Sequence, residues 1–515
     1  MGINTRNQQT GINRLISHRD KVLLNTILGE SPRIRAGGIN WNVIALDESL
    51  QTIRRTVRRL SQPVILESTL ADPMTSRWSI FAAEPIETLS IKDDKALIQA
   101  DSNTQVISIA PKWMTQPAGE LSAERVLKLW IDRWLSAIDI GNCPLSAPFK
   151  GGLLGWVGYD FGWHLEKLPR LIPNRDGWDD LRLGVYDTFI VYDHKNEQAQ
   201  LVACDLANLS AGRPANERMS MWQRELKGTR DQGQILPWKG LKVQPVISRS
   251  DYESRICRVL DYLAAGDIFQ ANFTHRFEAH GDGDPLALYE RLAKISPAPF
   301  AVFSQWGDKA IISSSPEWFY RQDGRRVLTR PIKGTRPRGQ TAEEDAENRA
   351  ELLSSLKDKA ELTMIVDLER NDLGRVAEFG SVKVNEAMKL ESYAQVHHLV
   401  AEVEGRLRSD KDTVDLLAAM FPGGSITGAP KIRAMEIIEE LETHRRGPYT
   451  GSIGYIGLDG HSAWNIAIRT VLKSGDCWSY HVGGGIVIDS RPGDEYEETL
   501  TKGRGMKLAL EGVDV

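Results

Sequence analysis

Three charged residues late in the chain share one helical face. Glu495, Glu498 and Lys502 stand at i, i+3 and i+7 in a helical run from Asp494 to Leu510, and side chains so spaced lie one above another. Two carboxylates on one face suit a hard cation such as Mg2+, which takes a few carboxylate oxygens and keeps water or substrate oxygens for the rest. The same spacing equally describes an ordinary Glu498–Lys502 ion pair on a solvated face. Just upstream, Gly483, Gly484 and Gly485 follow a strand-like run. Successive glycines let backbone N–H groups approach an anion with no Cβ in the way, although a β-bulge or a plain turn would use the same residues.

Four other positions could serve the same chemistry. Glu361 stands where polar Lys and Asp give way to an apolar run, so it could be a metal ligand or a salt-bridge partner. The run Phe421-Pro-Gly-Gly-Ser-Ile-Thr-Gly-Ala-Pro-Lys431 has phosphate-loop glycines, but Ala429-Pro430 replace the Gly-Lys-Ser/Thr ending. It remains a loop with the Ser425 and Thr427 hydroxyls and free N–H groups ahead of a helix, suited to a carboxylate. Lys333, in Thr329-Arg-Pro-Ile-Lys-Gly-Thr335, sits at an extended strand end. There it is either an exposed edge charge or, if desolvated, an amine nucleophile. Sixteen residues earlier, Ser313-Ser-Ser-Pro-Glu317 ends a strand with a carboxyl placed to act as a general acid.

The elements that must position these groups alternate in kind. Helices are expected over Leu46 to Leu60, Asn216 to Lys227, Ser250 to Ala265 (capped by Ser250 or Asp251), Ala342 to Val366, Val414 to Met420 and Lys431 to Glu442. The charged run Asp367 to Leu373 reads as the end of the fourth. Strands are expected over Pro63 to Ser68, Gly151 to Tyr159, Ser452 to Leu458, Ala463 to Leu472 and Trp478 to Val482. Thr188–Tyr192 with Gln200–Ala203, and Ala301–Ser304 with Ala310–Ser313, read as hairpins. Hairpins and helices mixed in blocks indicate an α+β fold with largely antiparallel sheets. Residues 1–38 read as a polar N-terminal extension, 39–204 as an N-terminal region, 205–248 as a polar linker and 249–511 as the catalytic region.

With 515 residues, 41% hydrophobic and 26% charged, the chain has the composition of a soluble globular protein. A formal net charge of −5 argues against a nucleic-acid partner, which would call for a basic field. No apolar run approaches the length of a bilayer span, so no membrane role and a cytoplasmic location are expected. Cys143, Cys204, Cys257 and Cys477 are scattered, form no C-x-x-C pair, and read as free thiols.

These segments, in this order, resemble the chorismate-utilising family that includes anthranilate synthase component I and aminodeoxychorismate synthase component I. The resemblance is dense from about Ser250 to Leu510. It is looser from Pro63 to Asp193, through Leu66-Glu-Ser68, Pro148-Phe-Lys-Gly-Gly152 and Tyr186-Asp187. It implies one α+β unit with two facing sheets and outer helices. It also implies Mg2+ held by Glu361 and Glu498 with Glu495 beside them, the metal holding the ring carboxylate of chorismate. The Gly483 to Gly485 amides and Lys502 would bind that carboxylate. Arg469 and Tyr449 would hold the enolpyruvyl carboxylate, and His398 would lie near the ring.

Within the family, position 333 separates two branches. Pro-Ile-Ala-Gly-Thr resembles the anthranilate synthases, and Pro-Ile-Lys-Gly-Thr, as at Pro331 to Thr335, resembles the branch that aminates C4. The implied chemistry has Lys333 add at C2 while Glu317 protonates the departing C4 hydroxyl; ammonia then attacks C4 and expels the lysine. Gly424-Ser-Ile-Thr-Gly428 and Trp464-Asn465 favour the same branch. Trp464-Asn465 also departs from the Asp-Thr of many relatives, as Trp163 and His164 depart from the residues usual after the Gly-Tyr segment, which bears on pocket shape. None of the four cysteines has the setting of a glutaminase nucleophile, so ammonia is expected from a separate glutamine amidotransferase subunit.

Overall fold

The computed structural model describes residues 39–70, 77–100, 103–114, 121–135, 140–141, 143–206, 213–230, 238–392 and 396–513; the expected extension at 1–38 lies outside them. Two large sheets, almost wholly antiparallel, face each other with helices on their outer sides, an α+β arrangement. Each sheet takes strands from both halves of the chain. The first runs through strands 41–46, 198–204, 188–193, 78–82, 64–67, 300–306, 309–315, 470–474, 477–486, 270–280 and 244–245. The second runs through 332–337, 396–406, 326–329, 318–323, 462–465, 452–457, 152–157, 181–186, 87–92, 95–100, 103–110 and 121–122.

Side-chain alternation explains the nearly unbroken apolar runs. In strand Lys309–Ser315, Ala310 and Ile312 join the helix-covered core while Ile311 packs toward the other sheet, against Trp156 and Ile453. A strand buried on both faces needs apolar residues at every position. Between the sheets, Val64, Ile80, Phe189 and Val202 of the first meet Leu154, Tyr186 and Tyr455 of the second. Helices Leu50–Arg59, Ala215–Arg230, Pro285–Ile295 and Pro492–Glu511 close the outer face of the first sheet. Helix Leu356–Gly374 lies on the second.

Most expected elements are present with shifted ends. The first expected helix starts later, as Leu50–Arg59, because Ser49 caps there, its Oγ accepting the Thr52 N–H at 3.1 Å, and strand Trp41–Leu46 precedes it. Helix Arg249–Ala264 is capped by Ser248, not by Ser250 or Asp251. The long helix expected over Ala342 to Val366 is two, Ala342–Ser354 and Leu356–Gly374. Ser355 leaves helical geometry at ψ 109° and its Oγ accepts from the Asp358 N–H at 3.2 Å, starting the second helix. The charged run Asp367 to Leu373 forms the last two turns of that helix, which ends at Gly374.

The single strand expected over Ala463 to Leu472 is also two, and they belong to different sheets. Ser462–Asn465 is in the second sheet and Thr470–Ser474 in the first. The intervening Ile466 to Arg469 crosses between the sheets. Another crossing, running the opposite way, is made by Ser315 to Trp318, and the two are tied together: Ile466 N–H donates to Glu317 O at 3.0 Å, and Ser315 Oγ donates to Ile466 O at 2.6 Å. The candidate site is built around these crossings.

Candidate active site

Each sequence-selected group arrives on a different element. Glu317 lies on the first crossing and is 7% exposed. Lys333 is the second residue of strand Ile332–Pro337, at the edge of the second sheet. Its register slips at Gly334, whose φ is +75°, a conformation open to glycine at no steric cost. Lys333 Nζ donates to the backbone carbonyl of Ser425 at 3.3 Å. The Ser425 hydroxyl and the Ile332 N–H bond the Glu317 carboxyl. Burial raises the Glu317 pKa, opposed first by Lys333 and then by those two bonds and Lys502.

Glu361 comes from the helix on the second sheet, Glu495 and Glu498 from the helix on the first. Lys333 acts electrostatically on Glu317, Glu361 and Glu498 alike, so these four groups face one cleft, and Glu495 adjoins it through Glu498. Desolvation raises Glu361, whose like-charged neighbours include Asp358 and Glu498. Desolvation also raises Glu495, against the Ser490 hydroxyl that donates to its Oε1 at 2.6 Å. Burial would raise Glu498 too, but Lys502, 2.6 Å from its Oε1, carries it below its ordinary value.

The three glycines are not a loop. They lie within strand Cys477–Ile486, paired through Thr274, Phe273 and Asn272 with strand Gln270–His280. Along its other edge, strand Thr470–Ser474 pairs only as far as Tyr480, which leaves the glycine segment without a strand partner there among the described residues. A Cβ at Gly484 would lie 3.1 Å from Glu495 Oε2, 3.4 Å from Glu498 Oε1 and 3.7 Å from Lys502 Nζ. Lys502 donates to Gly483 O at 3.1 Å. The glycine run thus forms the floor beneath the carboxylates, and a side chain at 484 would fill it.

The donor set suits Mg2+: hard carboxylate oxygens from two helices, partly buried and mutually repelling. Glu361, Glu495 and Glu498 are not drawn to common-ligand spacing. Among the described residues, the one group whose ligand atoms all fall within 4.8 Å is Glu278, His280 and Cys477, elsewhere on the first sheet.

Arg469 sits on the second crossing with φ +51°, a left-handed backbone that costs roughly 1–3 kcal/mol in a non-glycine residue. Its carbonyl accepts from Ser314 N–H at 3.1 Å, while its guanidinium makes no hydrogen bond or ion pair among the described residues. Burial alone lowers its pKa. A desolvated, unpaired guanidinium held on strained backbone is a site prepared for an anion. Desolvation, then Arg469, lowers the His398 pKa to about 4. His398 Nδ1 meets Thr335 Oγ1 at 2.9 Å, beside Lys333 on the edge strand.

Two selected residues are engaged elsewhere. The Thr427 side chain is fully buried and its hydroxyl donates to Gly423 O at 2.9 Å. Tyr449 is buried and stacks on His481 at 5.3 Å between ring centroids.

Sequence reasoning missed two supports. Arg446 and Glu442 form a buried pair at 2.7 Å. Arg446 also donates to Asn272 O at 2.6 Å and Ile426 O at 2.9 Å, joining the glycine floor's partner strand to the Ser425 loop. Glu369 is the second: buried beneath Glu317, it bonds Thr329 Oγ1 at 2.8 Å, and burial pushes its pKa up to about 8. The i, i+4, i+8 spacing of Glu361, Ile365 and Glu369 could have revealed it, because that spacing marks one helix face. The departing residues have structural partners: Asn465 Oδ1 accepts from Ile453 N–H at 2.9 Å, and His164 pairs with Asp180 at 2.9 Å. A separate cavity of about 520 Å³ lies between the sheets, lined by Leu66, Ser68, Pro148, Phe300, Trp318 and Tyr455 among others. Lys333, Glu361 and Glu498 are not among its lining residues.

The family model for chorismate binding enzymes matches residues 73–507. Aminodeoxychorismate synthase component 1 of Bacillus subtilis is 35% identical over 469 residues, 90% of this chain and 95% of that protein. Anthranilate synthase component 1 of Thermus thermophilus is 42% identical over 380 residues, 72% of this chain and 79% of that protein. The crystal structure of anthranilate synthase component I from Streptococcus pneumoniae superposes with a TM-score of 0.71 at 31% identity, covering 85% of this chain and 94% of that one.

Proposed function

The chain belongs to the chorismate-binding enzyme family, and from that premise we propose that it replaces the C4 hydroxyl of chorismate by an amino group, making 4-amino-4-deoxychorismate. The observation that carries this reading is the placement of Lys333. Its amino group shares Ser425 with the Glu317 carboxyl and faces Glu361 and Glu498 across the same cleft. An amine nucleophile and a proton donor therefore meet on one side of the carboxylate cluster.

In this reading the neutral Lys333 amine forms a bond to C2 of the ring. The ring double bonds shift, the C4–O bond breaks, and Glu317 gives its proton to the leaving hydroxyl as water. Ammonia then bonds to C4, the shift reverses, and the C2–N bond breaks to return the lysine amine. The Glu317 carboxylate takes the surplus proton from the new ammonium. A carboxyl raised by burial suits both directions of that transfer.

Arg469 would bind the enolpyruvyl carboxylate, its guanidinium being unpaired and its backbone held by Ser314. Lys502 and the glycine floor would meet the ring carboxylate. Glu361 and Glu498, with Glu495 alongside, would hold Mg2+, which when bound supplies positive charge to that same carboxylate. Ammonia would come from a glutamine amidotransferase subunit.

Product analysis with chorismate, Mg2+ and ammonia tests the reading. The expected product is 4-amino-4-deoxychorismate, and Lys333→Ala should lower C4 amination by on the order of 10³-fold or more. Anthranilate as the main wild-type product would overturn it. The anthranilate reading has its own support in the 42% identity to the Thermus thermophilus protein, and the same assay decides between them.

A further inference from the structure

At the end of the first sheet farthest along strand Gln270–His280, three side chains of metal-ligand type share one face. His280 lies directly opposite Cys477 in the antiparallel register, and Glu278 precedes His280 by two residues. Residues i and i+2 of a strand point the same way, as do directly opposed residues of neighbouring strands. The ligand atoms of Glu278, His280 and Cys477 all lie within 4.8 Å of one another, with His280 Nε2 3.8 Å from Glu278 Oε2. Ligands on one tetrahedral zinc, at bond lengths of 2.0–2.3 Å, stand roughly 3.3–3.8 Å apart. Closing the set takes side-chain adjustments of about 1 Å.

The surrounding groups orient these three. Arg276 Nε holds the other Glu278 oxygen, Oε1, at 2.8 Å, leaving Oε2 toward His280. Arg276 is itself held by Asp176 and reaches to 3.9 Å from Cys477 Sγ. On the far side of the imidazole, Nδ1 faces Asp476 Oδ2 at 3.8 Å. A carboxylate behind a histidine ring is the usual device for fixing which nitrogen faces a metal. The turn that carries Asp476 is pinned by the Gly281 N–H, which donates to Asp476 O at 3.0 Å.

We propose that Glu278, His280 and Cys477 form a binding site for a divalent transition-metal ion of the zinc class, separate from the carboxylate cluster of the active site. A thiolate, an imidazole and a carboxylate select zinc or cobalt over Mg2+, which favours all-oxygen shells. Cysteine ligates a metal as the thiolate, so Cys477 gives up its proton when the metal binds. His280 is largely exposed, which leaves the fourth position to water.

Cobalt titration of the full chain tests this, since a cobalt–thiolate bond absorbs in the near ultraviolet and an all-carboxylate site does not. One Co2+ per chain should develop that band, Zn2+ should displace it, and excess Mg2+ should not. Cys477→Ser should abolish the band, while Cys257→Ser, at an exposed thiol, should keep it. His280→Ala alters an exposed side chain and should weaken binding at least about tenfold, and Asp476→Asn by a smaller factor. Absence of the band in the wild type, or its persistence in Cys477→Ser, would overturn the proposal. So would unchanged affinity in His280→Ala.

Discussion

Lys333 and Glu317 meet at a single residue: the Lys333 amino group donates to the Ser425 carbonyl at 3.3 Å, and the Ser425 hydroxyl bonds the Glu317 carboxyl. The two groups sit 16 positions apart, Glu317 on the crossing between the sheets and Lys333 on the edge strand of the second, so the loop from Phe421 to Pro430 sets their separation. This loop is itself fixed by the Asn272 N–H, which donates to Thr427 O at 2.7 Å, and by Arg446. The amine and the carboxyl are thereby coupled through backbone and hydroxyl of one serine.

Removing the hydroxyl should change the acid without moving the amine. Ser425→Ala keeps the carbonyl that Lys333 uses but deletes a bond that favours ionised Glu317, so the Glu317 pKa should climb further. Activity that needs protonated Glu317 falls as pH rises through that value. The alkaline limb of kcat/KM in Ser425→Ala should therefore move to higher pH. Glu317→Gln should lower kcat by about 10²–10⁴-fold and lose that limb. A pH profile of both variants checks this, and a limb that stays in place in Ser425→Ala would separate it from Glu317.

Glu369 should give the folded protein a pH-dependent stability. The Thr329 hydroxyl lies 2.8 Å from both Phe319 O and Glu369 Oε2. With one proton it can donate to only one of them, and the carbonyl can only accept. A protonated Glu369 satisfies both bonds by donating to Thr329. Its pKa is about 8 in the fold against an ordinary 4.5, so the folded chain binds more protons than the unfolded chain between these values. This contribution is complete below about 4.5 and is lost as pH rises through about 8. Glu369→Gln, which keeps a donor for Thr329, should flatten the decline in urea midpoint across that window.

The Arg446–Glu442 pair should matter more when broken than when replaced. The Arg446 and Glu442 side chains are 1% and 3% exposed, and the Glu442 carboxylate also accepts from the Thr274 N–H and hydroxyl at 2.9 and 2.8 Å. Arg446→Met strands that carboxylate away from water, at a cost of about 3–5 kcal/mol. Denaturant unfolding should register that loss. The double variant Arg446→Met, Glu442→Met should recover part of it.

How much of this was legible in the sequence depends on the range of the interaction. The shared face of Glu495, Glu498 and Lys502 follows from helical spacing alone, and the Glu498–Lys502 ion pair forms as that spacing allows. Hairpin 300–306 with 309–315 and the amphipathic helix after Ser248 were also legible, because turn chemistry and periodicity act over a few residues. The resemblance placed Glu361 and Lys333 in one site, which spacing could not do.

Tertiary structure decided the rest. Ala463 to Leu472 has the composition of one strand, yet it divides between two sheets. Its break at Ile466 to Arg469 is imposed by the neighbouring crossing at Ser315 to Trp318, and only there does Arg469 adopt a left-handed backbone. Gly483 to Gly485 could locally be a β-bulge or a turn and is a strand because Asn272, Phe273 and Thr274 supply its partner. The residues themselves determined which groups could bind a cation, donate a proton or attack as an amine. The packing of two sheets determined which of them meet, because burial, register and the field of distant charges are properties of neighbours far away in the chain.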